Sequence, residues 1–241
     1  MKGVLFLNEN ERYDILEKSK IFFRDKIVKN HEENTSKLIK LSKFNINPFL
    51  VHYLANFLTG KSDAKSLAKV LIYPRVLGTS INTSFGTNMQ YFCNNVLNGF
   101  ASTTSGIDIE FIDQLDGRKK YCQVKAGPDT INKDDVATIV SHFKAVKNLA
   151  RTNGFSIGID DLIVGVLYGE KNQLNAHYKS IDKEHPVIIG QDFWYRLTGH
   201  ADFYLELANA FGEVAVEVDG TGLLRKTIDD LAMEIEKSTK L

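Results

Sequence analysis

Ser105-Gly106-Ile107-Asp108-Ile109-Glu110-Phe111 is answered, past Asp116-Gly117, by Tyr121-Cys122-Gln123-Val124-Lys125-Ala126 and then Gly127-Pro128. Ile107, Ile109 and Phe111 alternate with Asp108 and Glu110, the period of a half-buried strand. Asp116-Gly117 is a hairpin turn signal, and Tyr121 to Ala126 reads as the returning strand, stopped by Gly127-Pro128. Alternate side chains of a strand share a face, so Asp108 goes with Glu110 and Gln123 with Lys125. Fourteen residues lie between Asp108 and Gln123. With the hairpin paired in matching orientation, two carboxylates, an amide oxygen and an ammonium converge on one spot. Polar groups there interrupt an apolar strand, and their desolvation is unfavourable unless a metal or a network satisfies them.

Outward from the hairpin the period changes. Towards the N-terminus the chain reads as helix and loop. Residues 9–44 carry Ile15, Leu16, Phe22, Phe23 and Ile27 at helical spacing. Asn47-Pro48 starts a helix from Phe49 to Leu58 that stops near Gly60, and Ser62 to Leu71 is another that Tyr73-Pro74 breaks. Leu77 to Gly86, rich in Gly, Thr, Ser and Asn, reads as a loop, and Thr87 to Leu97 as a helix. Beyond the hairpin, Asp134 to Ala150 is a long helix with Val136, Ile139, Val140, Phe143 and Val146 on its buried side. Leu162 to Tyr168 is a continuously apolar strand of the buried kind, and Pro186 to Ile189 is a further candidate. Asp192 to Leu197, Ala201 to Phe211 and Leu224 to Glu236 read as helices, and Val214 to Val218 fits either period. The layout is α/β in one domain over residues 1–241: a helical N-terminal elaboration over 1–75, then a central mixed sheet with closing helices over 76–241.

The chain has 241 residues, 43% hydrophobic and 10% aromatic, enough for a core, so global disorder is excluded. Two cysteines, Cys93 and Cys122, do not make a disulfide framework or a cysteine-rich metal site. No apolar run reaches the roughly 18 residues of a membrane span, and the opening stretch MKGVLFLNENE is too short in its apolar part for a signal peptide. A protein of the cytoplasm with no membrane partner is expected. Thirty basic side chains balance thirty acidic ones. Resolved along the chain, residues 1–75 hold 14 basic and 8 acidic, 76–175 hold 9 and 10, and 176–241 hold 7 and 12. The N-terminal third is therefore basic enough to attract a polyanion, although a solvated helical surface has the same composition.

Carboxylate oxygens are hard ligands suited to Mg²⁺. A lysine beside them is a point charge for a phosphate, and it can orient or help deprotonate an attacking water. Together these groups suit phosphodiester hydrolysis. A solvent-facing edge strand with alternating polar residues presents the same short pattern. GIDIEF…CQVKAGP also resembles the catalytic hairpin of the PD-(D/E)XK nucleases, and the flanking text resembles type II restriction endonucleases in particular. The likeness runs through Asn47-Pro48-Phe49, Tyr73-Pro74-Arg75, Gly78-Thr79-Ser80 and Asn132 to Asp135, which covers most of the chain.

The resemblance implies a restriction-endonuclease-like core and a Mg²⁺-dependent homodimer. That dimer would cut a specific palindromic double-stranded DNA site and leave 5′-phosphate and 3′-hydroxyl ends. A cognate DNA methyltransferase would serve the same system in a prokaryotic cell. Asp108 stands at the family's metal-binding aspartate and Lys125 at its catalytic lysine. Gln123 stands where the family has Asp or Glu, so one negative charge is missing; Glu110, or a carboxylate outside the hairpin, could supply it. The Val124 carbonyl could complete the metal shell. The departure leaves two other readings open: a repair or recombination nuclease of the same fold, and a catalytically weakened DNA-binding module.

Candidate DNA contacts are Asn132 and Lys133 at the hairpin exit, Lys119 and Lys120 beside the turn, and Arg75, Thr79, Ser80, Asn82 and Thr83 in the polar stretch. Gln90, on the helix before the first strand, is a further candidate near the metal. The six histidines show no metal-ligand spacing, and His142 reads as structural. Trp194 reads as packing.

Overall fold

The computed structural model describes residues 7–238. Most of the opening run weighed as a signal peptide lies outside them. Two compact units are present: residues 7–22 with Gly86–Gly212, and Phe23–Phe85 with residues 213–238. No helix among the described residues is long and apolar enough to cross a membrane.

The first unit is built on a four-stranded sheet. β1 (Ile109–Ile112) and β2 (Lys119–Lys125) form the expected hairpin, and β3 (Leu162–Val166) and β4 (Val187–Ile189) follow in the order β1-β2-β3-β4. β1 is antiparallel to β2, and the remaining pairs are parallel. Gly117, at φ +67°, carries the reversal between β1 and β2. Asp113, fully buried beside the turn, accepts from Arg196 at 2.8 Å and from the Leu115 amide. The parallel pairs require crossovers, which α7 (Lys133–Thr152) and α8 (Ala176–Ile181) supply. α7 puts Ile139, Phe143 and Val146 against Leu162, Val164 and Val166 of β3, as their helical spacing requires. The opposite face of the sheet carries Cys122 and Gly165. A Cβ on Gly165 would lie 2.3 Å from the Phe193 ring, so only glycine lets α9 (Gln191–Thr198) approach. Trp194, also on α9, is 0% exposed and donates its indole N–H to the Leu167 carbonyl, which makes it core packing. α1 (Glu9–Phe22) and α6 (Met89–Asn95) complete this unit with the start of α10 (Phe203–Glu217). The ambiguous stretch from Val214 to Val218 lies in that helix up to Glu217, with Val218 just past its end.

The second unit is helical. A π-helical turn (Phe23–Val28) and α2 (Lys29–Ser36) lead to α3 (Val51–Thr59) and α4 (Ala64–Pro74), and α11 (Thr221–Lys237) closes the unit. Asn47 accepts from the Phe49 amide just ahead of α3, and Gly60 ends α3 at φ +72°. Asp63 caps α4 through the Ser66 amide. Val51, Ala55, Leu67, Ala68, Ile72, Ile228, Leu231 and Ile235 form the core. The expected loop over Leu77 to Gly86 is helical instead: a π-helical turn (Arg75–Ser80) and α5 (Ile81–Thr87) continue from α4. Pro74 has no N–H to donate back, and the helix widens directly after it rather than stopping. Burial of Val76 and Ser84 outweighs the weak helix propensity of the Ser, Thr, Asn and Gly there.

Candidate active site

The register of the hairpin sets the site. Ile109 pairs with Cys122 and Glu110 with Tyr121, so one further step brings Asp108 beside Gln123. At that step the ladder gives way to side-chain bonding. The Asp108 amide donates to the Cys122 carbonyl at 3.0 Å, and the Asp108 Oδ2 accepts the Val124 N–H at 2.7 Å. Backbone groups alternate along a strand. The Lys125 carbonyl accepts from Leu167 on the β3 side, whereas the Val124 amide faces Asp108. The Val124 carbonyl is therefore directed to the Asp108 side too.

Asp108, Gln123 and Lys125 line one recess of about 380 Å³, walled by Gln90 of α6, by Gly106 and by Thr138 and His142 of α7. Burial raises the Asp108 pKa, against the Val124 N–H and the positive field of Lys125. Gln123 is buried. Its Nε2 donates to the Gly106 carbonyl at 2.6 Å and lies 2.7 Å from His142 Nδ1. Gly106 itself has φ +79°, and a Cβ there would meet the His142 ring at 2.5 Å.

Glu110 shares the strand face with Asp108 but is engaged elsewhere. It accepts from Ser102 Oγ at 2.5 Å and Thr104 Oγ1 at 2.7 Å and pairs with Lys119 at 2.5 Å. Burial opposes its charge, yet Lys119, Ser102 and Thr104 together hold its pKa below the usual value. Among the described residues no three His, Cys, Asp or Glu side chains gather to hold a metal. The oxygens at hand are the Asp108 carboxylate, the Gln123 amide oxygen and the Val124 carbonyl. Gln90 lines the recess, with its Nε2 donating to Asn94.

The candidate DNA contacts divide. Lys120 is 1% exposed, with its ammonium 2.5 Å from Asp116, 3.1 Å from the Asp160 carbonyl and 3.4 Å from Asp161. It is a buried structural cation, which corrects its expected place at a phosphate; strand alternation turned it inward and its neighbour Lys119 outward. Asn132 caps α7, accepting from the Asp134 and Asp135 amides, while Lys133 begins that helix and is exposed. Arg75, Thr79, Ser80 and Asn82 belong to the second unit, on the helical stretch after α4 rather than in a loop. Sequence reading missed His142 and Thr138. They stand four apart on α7, a polar pair next to an apolar stripe, and that pairing was the available signal.

The chain matches a family model described as type II restriction endonuclease EcoO109I over residues 15–219. No curated protein matches it. A match over most of the length, on a mixed sheet flanked by helices, means that the chain belongs to the family of type II restriction endonuclease EcoO109I and is a site-specific deoxyribonuclease acting on double-stranded DNA.

Proposed function

We propose that the enzyme is a homodimer that cuts a palindromic site with Mg²⁺, one strand per subunit, and leaves 5′-phosphate and 3′-hydroxyl ends. The observation that carries this reading is the recess lined by Asp108, Gln123 and Lys125 at the end of the hairpin, where the Val124 amide donates to Asp108. Type II enzymes of this kind generally use a divalent metal, and the donor set fits a hard one. It has one carboxylate, one amide oxygen and one backbone carbonyl, and Mg²⁺ commonly takes its remaining ligands from water and substrate phosphate. Asp108, Gln123 and the Val124 carbonyl would hold the ion, which supplies charge stabilisation at phosphorus and a more acidic water.

Lys125 has two tasks in the same recess. Its ammonium attracts the scissile phosphate, and it orients the water that attacks phosphorus opposite the departing 3′ oxygen. The P–O3′ bond breaks as the new P–O bond forms, which keeps the phosphate on the 5′ end. Glu110, held by Ser102, Thr104 and Lys119, steadies the hairpin and keeps Lys119 beside the strand. DNA contacts are assigned to Lys119, Lys133, Arg75, Thr79, Ser80 and Asn82, with Asn132 contributing its side-chain amide.

Two-fold symmetry of protein and site is the physical ground for the dimer. The exposed apolar side chains on and just before α3 support it. Phe49 is 90% exposed and Phe57 78%, with Leu50, Tyr53 and Leu54 between them and Leu58 just beyond. No charged residue occurs from 44 to 60. Such a surface suits contact with its own copy and has nothing to offer a phosphate backbone. A methyltransferase protecting the same site in a prokaryotic cytoplasm completes the proposed system. Digestion of DNA of known sequence with Mg²⁺, with the fragment ends mapped, tests this reading. We expect cuts at one palindrome, lost in Lys125→Ala and kept in Lys183→Ala. Random cuts, or cleavage retained in Lys125→Ala, would refute it.

A further inference from the structure

Replacing an acid by glutamine in a metal site removes a charge, and it also removes a symmetry. Both ends of a carboxylate are ligating oxygens, so its rotation about the last bond is immaterial. A glutamine amide has one ligating end, and the other carries hydrogens that repel a cation. An amide can serve in this place only if something decides which end faces the ion.

The recess contains such a device. Gln123 Nε2 lies 2.6 Å from the Gly106 carbonyl oxygen, which can only accept, so the nitrogen end is fixed there. The same nitrogen lies 2.7 Å from His142 Nδ1. An amide nitrogen has no lone pair to offer, so Nδ1 is the acceptor and the ring carries its hydrogen on Nε2. Both amide hydrogens are then used, and the oxygen is the one polar atom left for a ligand. Turning the amide over would set Oε1 against the lone pairs of the Gly106 carbonyl at 2.6 Å. The packing holds this arrangement closely, since a Cβ on Gly106 would come 2.5 Å from His142 Cγ.

We propose that His142 is a positioning residue, which with the Gly106 carbonyl holds Gln123 oxygen-first toward the metal and so lets an amide work where this fold ordinarily uses an acid. The proposal rests on the reading of Asp108 and Gln123 as metal ligands.

The test is Mn²⁺ binding to the full chain without DNA, read by electron paramagnetic resonance. His142→Ala removes the acceptor, and His142→Asn restores one at the Nδ1 position. We expect His142→Ala to weaken Mn²⁺ binding about tenfold, the scale for losing a partner that orients a metal ligand, and His142→Asn to recover most of it. In a Gln123→Glu background, where either end ligates, His142→Ala should not weaken binding. An equal loss in both backgrounds, or no loss in either, overturns the positioning role. Unchanged Mn²⁺ binding in both Asp108→Ala and Gln123→Ala would instead overturn the metal-ligand reading on which it rests. Far-ultraviolet circular dichroism of each variant separates these results from misfolding, and if His142→Ala does not fold, the His142→Asn and Gln123→Glu comparison carries the decision. His142→Asn binding Mn²⁺ as well as the parent chain then supports the role, and a tenfold loss in His142→Asn refutes it.

Discussion

Replacing Gly106 with alanine probes the packing beneath the recess, and the structure supplies the terms. Gly106 sits at φ +79°, and a side chain at positive φ costs about 1–2 kcal/mol. The new Cβ would lie 2.5 Å from His142 Cγ, and ordinary carbon contact begins near 3.5 Å, so the ring must retreat by about 1 Å. That movement carries Nδ1 from 2.7 Å to beyond hydrogen-bond range of Gln123, a loss of about 0.5–1.5 kcal/mol. Crowding in a packed site adds about 1–3 kcal/mol. The sum is about 2.5–6.5 kcal/mol of lost stability. Gly117→Ala is the control, because Gly117 has φ +67° with nothing within 4 Å, which leaves only the backbone term of about 1–2 kcal/mol. Trp194 is the single tryptophan and is fully buried in the same unit, so its fluorescence in urea reports unfolding there. Equal losses in the two variants would refute the contact between Gly106 and His142.

Asp108→Asn should raise the urea midpoint without metal at pH 8 while abolishing cleavage. Burial raises the folded pKa of Asp108 above its unfolded value, so the native chain binds that proton more tightly, and stability falls as pH rises through the ordinary carboxylate range. A lower midpoint for the variant would contradict this sign. Lys120→Ala should cost about 1–3 kcal/mol, because Asp116, Asp161 and the Asp160 carbonyl lose a buried cation while Asp161 keeps Arg118; weaker DNA binding at unchanged stability would return Lys120 to a phosphate. Phe57→Asp sets like charges across the proposed two-fold contact. In sedimentation equilibrium it should raise the dimer dissociation constant by at least about thirtyfold, as losing one hot-spot residue does. A variant dimer as tight as the parent would remove α3 from the interface.

The hairpin and the long helix were legible because local chemistry decides them. Asp116-Gly117 marks the reversal, alternation marks both strands, and Asn132 with Asp135 caps α7 through a reciprocal pair of hydrogen bonds. The stretch after Pro74 was not, since its helix comes from burial of Val76 and Ser84, which no window of Ser, Thr and Asn reveals. Within the site, alternation placed Asp108, Gln123 and Lys125 on one face. It could not tell that Glu110, on that same face, is taken up by Ser102 and Thr104 from a segment outside the hairpin. Lys119 and Lys120 are identical in chemistry and adjacent in sequence. The partner of each is fixed by which face of β2 it occupies, so the buried one needed the sheet to be seen.

The missing acid bears on how the site balances charge. With Glu110 paired to Lys119, the recess holds one carboxylate, Asp108, beside the ammonium of Lys125. A second carboxylate at position 123 would face the Gly106 carbonyl at about the present 2.6 Å and would stand next to Asp108. Without a metal that arrangement is repulsive, and the glutamine replaces the repulsion with two hydrogen bonds. Gln123→Glu should therefore lower the stability of the metal-free chain by about 1–3 kcal/mol, the penalty for leaving buried polar partners unsatisfied, and should strengthen Mn²⁺ binding. The two effects have opposite signs because they arise from the same charge. Urea melts of the variant, with and without Mn²⁺, read both. A variant that is as stable as the parent without metal would show that the amide hydrogens are not what holds the recess together.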